Sequence, residues 1–172
     1  RIGGGRGVDF IFDPIGGDVW NAGTTERIWW NTGGTVPNVK IEFSTNGGNT
    51  FSPITNSTTN VGWYDWSPIP ASAVSPQVVL RVSDTRDDTA FDESEQFFIR
   101  ATFVLTAPMV SDLKVNTAYD IKWTQIGQTS WKGNTPRAKL EYSFYQNFAL
   151  AIAIDGGTVT PTENPPNSGE FY

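Results

Sequence analysis

The chain contains neither His nor Cys among its 172 residues. That composition removes Ser-His-Asp and Cys-His triads and the common zinc ligand sets, so carboxylates are almost the only groups left for catalysis. Glu42 and Glu141 hold matching places in two similar segments, Val39-Lys40-Ile41-Glu42-Phe43-Ser44 and Ala138-Lys139-Leu140-Glu141-Tyr142-Ser143. Glycoside cleavage by paired acids needs two inward carboxyls about 5 to 9.5 Å apart across a cleft. Here each glutamate alternates with apolar neighbours, which puts it on the solvent side of a strand. The run from Asp84 to Glu95 is rich in Asp and Glu and offers oxygen ligands for calcium. It lacks the Gly-containing spacing of an EF-hand loop and reads as a solvated hairpin loop. Gly3-Gly4-Gly5 and Gly16-Gly17 precede no helix start and no Gly-Lys-Ser/Thr sequence, so they are not phosphate loops. Asn56-Ser57-Thr58 fits a glycosylation acceptor and is expected in a loop. No catalytic residue, metal site or cofactor is assigned.

Binding is better served by two tryptophans. Trp30, Tyr64 and Trp66 share strand faces with Ile28 and with one another, as core residues do. Trp29 and Trp63 fall on the opposite faces. Their counterparts in the second half of the chain are Lys122 and Glu170, so both positions look outward. In an immunoglobulin-like order the second and fifth strands are neighbours, which sets Trp29 beside Trp63 on an outer face. Such a pair suits burial against another protein, the first expectation, or stacking on sugar rings. Coverage by a loop or by the second half would remove both roles.

The elements that position these residues are strands. Short runs of period-2 alternation recur over 8–13, 25–31, 38–44, 51–55, 62–66, 77–83 and 95–101, and turn residues separate them. Seven such strands point to a β-sandwich of immunoglobulin or fibronectin-III type. The chain then repeats itself. Ile28-Trp29-Trp30 returns as Ile121-Lys122-Trp123, Asn21-Ala22-Gly23-Thr24 as Lys114-Val115-Asn116-Thr117, and Gly62-Trp63-Tyr64 as Gly169-Glu170-Phe171. Asn116 in place of Gly23 keeps a residue that tolerates a left-handed backbone. The predicted fold is therefore all-β, with two tandem immunoglobulin/fibronectin-III-like sandwiches, over residues 8–100 and 101–172, after a flexible lead-in over 1–7. The second sandwich has no counterpart of residues 66–100. Continuation beyond Tyr172, ahead of completion by another chain, is the expectation.

A net charge of −6 disfavours nucleic acid, whose phosphates require a basic surface. No apolar run is long enough to span a bilayer, so no membrane insertion is expected. Charged residues make up only 17% of the chain, and Thr, Asn, Ser and Gly crowd its loops, a surface more typical of an extracellular module than of a cytosolic enzyme.

Several elements together resemble a known class: Trp20-x-x-Gly23-Thr24-x-x-x-Ile28-x-Trp30, Val39-x-Ile41-x-Phe43-Ser44-Thr45-Asn46-Gly47-Gly48, Gly62-x-Tyr64-x-Trp66 and Leu80-x-Val82-Ser83-Asp84. The pattern is similar to the immunoglobulin-like domain of the Ser/Thr-rich, glycosylphosphatidylinositol-anchored cell-wall family and related tandem repeats of large bacterial surface proteins. The resemblance implies a secreted or wall-associated scaffold without catalysis. No Ser/Thr-rich stalk accompanies it here, so anchoring is not implied. The expected function is a non-catalytic structural or adhesive module, extracellular or at the cell surface, that spaces domains or self-assembles into a wall, sheath or filament. Its partners are other copies or neighbouring domains of the same polypeptide. The alternative is a carbohydrate-binding accessory module that holds surface polysaccharide through Trp29 and Trp63.

Overall fold

The computed structural model describes residues 7–109, 113–114 and 117–127, and the backbone of 141–142, 152–153, 160–162 and 167–171. It is all-β: the described residues contain strands and one short 3-10 turn, Ala71–Ala73. The chain divides into two compact units, Arg1–Thr102 and Phe103–Tyr172. Of the expected lead-in over 1–7, only Gly7 lies within the described residues, and it opens the first strand.

The first unit runs β1 (Gly7–Asp13), β2 (Val19–Asn21), β3 (Glu26–Gly33), β4 (Asn38–Ser44), β5 (Ser52–Thr59), β6 (Trp63–Trp66), β7 (Ser75–Asp84), β8 (Asp87–Glu93) and β9 (Phe97–Arg100). One sheet has the order β1-β3-β6. The other has the order β2-β9-β7-β4-β5, and β8 also pairs with β7. Alternation explains how they face each other. Val39, Ile41 and Phe43 of β4 are buried, as are Val78, Leu80 and Val82 of β7, and they meet Ile28, Trp30 and Trp66 of the opposite sheet. Trp20 packs edge-on against Phe97 with centroids 4.9 Å apart, and Phe43 lies 5.1 Å from Trp66. Removing such a side chain costs about 2–5 kcal/mol, so the interior alone specifies this sandwich strongly.

Buried polar groups are tied locally. Trp30 donates Nε1–H to Asn60 Oδ1 at 2.8 Å, and the Asn60 amide nitrogen donates to Thr32 Oγ1 and Val36 O. The Thr45–Gly48 turn wraps the Ser44 hydroxyl, which accepts from the N–H groups of Asn46 and Gly48. Gly47 and Gly48 both take positive φ there, as that turn requires. Gly23 likewise sits at φ 85, whereas Asn116 lies outside the described residues.

Two expectations are corrected, and one strand is added. The acidic run is not a solvated loop: residues 87–93 form β8, with the turn confined to Thr85-Arg86. Several of its carboxylates are spent on specific partners, which lets an Asp-rich segment hold strand geometry. Asp92 accepts the Ile11 N–H at 2.8 Å, Glu93 pairs with Arg81, and buried Asp84 is gripped by Arg86. Asn56-Ser57-Thr58 lies within β5 rather than in a loop, because Ser52–Thr59 pairs with β4 through two bulges. The three-residue β2 is too short to show periodicity, yet it pairs in parallel with β9.

In the second unit, β10 (Thr102–Ala107), β11 (Ile121–Ile126), β14 (Thr160–Thr162) and β15 (Asn167–Phe171) form a sheet of order β10-β11-β15-β14, and β12 (Glu141–Tyr142) pairs with β13 (Ile152–Ala153). The polar, Pro- and Gly-rich stretch 155–168 reads as a loop in the sequence, but residues 160–162 and 167–168 within it are strand. The β11–β15 register sets Ile121 opposite Phe171, Lys122 opposite Glu170 and Trp123 opposite Gly169.

β8 and β9 occupy successive halves of one edge of β7, and Ser94 bridges the break between them. Its hydroxyl accepts the Leu80 N–H at 2.9 Å, and its own N–H donates to Leu80 O at 2.9 Å. Ser94→Ala leaves a buried N–H unbonded and is expected to lower stability by about 1–3 kcal/mol, read as a shifted urea midpoint at unchanged slope. An unshifted midpoint would show that the bridge contributes nothing.

Candidate functional site

β3 and β6 pair antiparallel with Trp29 directly opposite Trp63, and Ile28 opposite Tyr64. Side chains alternate across a strand, so with Ile28 and Trp30 buried, Trp29 and Trp63 must emerge on the outer face. Their centroids are 6.4 Å apart at a tilt of 51°. Trp63 is 37% exposed and Trp29 is half-buried.

Two further aromatic residues extend the pair. Phe12 stacks against Trp29 at 6.3 Å, and Phe10 follows Phe12 at 5.6 Å. Both are open to solvent, Phe10 at 50% and Phe12 at 45%. Strict alternation along β1 would put Val8, Phe10 and Phe12 on one side. Register shifts at Asp9 and Phe12 break that rule, so Val8 and Ile11 turn to the core while Phe10 and Phe12 turn out. The result is a line of four rings on the outer face of β1-β3-β6.

Charge closes one end of this line. Arg27 lies opposite Asp65, two residues along from the tryptophan pair, and binds it through both nitrogens at 2.6 and 2.9 Å. The guanidinium also lies over Trp63 at 4.0 Å and beside Trp29 at 5.5 Å. The Arg27 hydrogen bond holds the Asp65 carboxyl below its usual 3.8. Asp13, opposite Trp29 in register, is pushed above 3.8, first by partial burial and then by Asp18. Its ionised form therefore opposes folding, whereas ionised Asp65 favours it.

The sequence located Trp29 and Trp63, and the structure brings them together. Phe10, Phe12, Arg27 and Asp65 were missed. The Arg27–Asp65 pair follows from the same register two residues on, but no sequence signal marks the β1 bulges.

Elsewhere, Glu42 pairs with Lys40 at 2.6 Å on the outer side of β4, and the side chain of Glu141 lies outside the described residues. A cavity of about 320 Å³ is lined by Phe43, Thr45, Thr50, Ser52, Pro53, Pro70 and Ser72, and offers no acid or base. Among the described residues no three acidic side chains are grouped to hold a metal ion, and no helix is long and apolar enough to cross a membrane.

No protein-family model matches the chain, and no curated protein matches it. Among solved structures, the chain is similar to the fibronectin(III)-like modules of CbhA from Clostridium thermocellum. That likeness covers 93% of this chain and 76% of the other at 19% identity, with a TM-score of 0.33.

A test of the site follows from Asp65. Its ion pair is complete above pH 3.8 and is lost as pH falls through the lower folded-state value. Release of Arg27 from Trp63 is expected to move indole emission in a step below pH 3.8, and Asp65→Asn should abolish that step. A step that survives in the variant would mean that Arg27 is not held by Asp65.

Proposed function

We propose that the chain is a non-catalytic piece of a larger extracellular or cell-surface protein, and that the ring line on β1-β3-β6 is its adhesive surface. The observation that carries this reading is the outward placement of Phe10, Phe12, Trp29 and Trp63 as one continuous patch. By area fractions the patch leaves roughly 300 Å² of aromatic surface open, on a scale of about 150–250 Å² per aromatic side chain. A contiguous apolar area of that size on a soluble domain is often functional. The resemblance of core and turn motifs to cell-wall immunoglobulin-like domains carries the same expectation of a scaffold. Matching registers support duplication as the origin of the two units: Ile28–Tyr64 and Trp29–Trp63 in the first correspond to Ile121–Phe171 and Lys122–Glu170 in the second. In that scheme the first unit binds and the second spaces.

Retention of the chain is measured on surfaces coated with insoluble polysaccharide, with matrix-type protein, and with the chain itself. Trp63→Ala is expected to reduce retention at least tenfold on whichever surface holds the parent chain. Equal retention of the two proteins would remove the ring line as the contact, and no retention on any surface would leave a pure spacer.

A further inference from the structure

We infer that the occupant of the ring line is a neutral polysaccharide strand lying along Phe10, Phe12, Trp29 and Trp63, with the Arg27–Asp65 pair meeting its hydroxyl groups. This inference rests on the adhesive reading above and names its ligand.

Area decides first against a protein. A specific protein partner takes about 800 Å² from each side, and the open aromatic surface supplies roughly 300 Å². Two copies meeting face to face through the rings alone would stay well short of a stable dimer. A few sugar units, by contrast, are covered by a strip one ring wide.

Spacing agrees. Successive steps of 5.6, 6.3 and 6.4 Å between ring centres are comparable with the advance of one pyranose unit along an extended chain. The apolar C–H faces of pyranose rings pack on aromatic surface, and Phe10, Phe12 and Trp63 leave ring surface open for such contacts, with Arg27 covering one side of Trp63.

The polar groups beside the rings suit hydroxyls. Arg27 and Asp65 set planar donors and acceptors next to Trp63, and the exposed Asn31, opposite Phe10, presents an amide near the other end. Charge then selects the type of glycan. Asp65 is neutralised by Arg27, while Asp9 and Asp13 add negative charge along β1. The whole chain carries −6. A polyuronate or sulfated glycan would be repelled, whereas a neutral one meets no such field.

The second unit supplies the control. At the positions that match Trp29 and Trp63 it carries Lys122 and Glu170, in the same cross-strand register. Trp29→Lys combined with Trp63→Glu therefore installs a pairing that the same strand geometry already accepts, and opposite charges facing each other across a sheet are tolerated. Phe10→Ser is a second variant that leaves the tryptophans in place.

The whole chain is run by affinity electrophoresis through gels containing soluble xylan, glucomannan, galactomannan or mixed-linkage β-glucan, with polygalacturonate as the charged comparison. Retardation is expected in at least one neutral gel and not in polygalacturonate. The double variant should lose it, and Phe10→Ser should weaken it at least threefold, both with a cooperative thermal transition that shows them folded at the temperature of the gel. Sedimentation at rising concentration is recorded in parallel. Absence of retardation in every neutral gel overturns the inference, as does equal retardation of the double variant. If the gels are silent but the parent chain self-associates and the double variant does not, the adhesive reading stands and the glycan falls. If neither occurs, the glycan falls and retention on the coated surfaces decides the adhesive reading.

Discussion

The pairing of β3 with β6 in a single register is the constraint on which the rest of the first unit depends. It sets Ile28 and Trp30 inward and Trp29 outward on one strand, and Tyr64 and Trp66 against Trp63 on the other. A slip of one residue would exchange those faces, burying Arg27 and exposing the core. Several bonds hold the register. Arg27 grips Asp65 at one end, Thr25 and Ser67 join hydroxyls beyond it, and Trp30 N–H reaches Gly62 O at 3.1 Å at the other. Asn60 then fixes the Trp30 indole from the following turn. The interior and the tryptophan half of the ring line are thus two products of one alignment.

The sheet edges bear on how the molecule meets others. An open strand edge invites pairing with another chain unless it is short, kinked or capped. β2 has three residues and β6 has four. β5 is longer, but Pro53 interrupts its donors and two bulges twist it away from straight pairing. β1 gives its Ile11 N–H to Asp92, and its Gly7 lies so close to Ala90 that an added Cβ would sit 3.2 Å from that side chain. These four edges are therefore blunted, and strand addition through them is a poor route to assembly.

Much of this was legible in the sequence, and the failures share a cause. Period-2 alternation exposed β3, β4 and β7, and comparison with Lys122 and Glu170 assigned the outward face of Trp29 and Trp63. Phe10 and Phe12 escaped because a bulge at Asp9 reverses the parity of β1, and parity is all that a short strand offers. β8 escaped because Asp and Glu are poor strand formers, and only the packed structure shows that Ile11, Arg81 and a backbone turn use their carboxylates. The Ser52–Thr59 strand was cut short because Pro53 and Asn56-Ser57 are turn residues in most settings, although an edge position accommodates them.

The parallel pairing of β2 with β9 has a mechanical consequence. Traction along the backbone of the first unit enters through β1 and β2 and leaves through β9, so it slides these two strands past each other lengthwise. Ala22 N–H to Arg100 O, Phe98 N–H to Asp18 O and the Thr102 hydroxyl to Ala22 O, at 2.8, 2.8 and 2.6 Å, would then share the load and break together. Hydrogen bonds loaded in that direction resist rupture as a group, whereas a peeled hairpin yields one bond at a time. A strand pair joined this way resists a lengthwise pull.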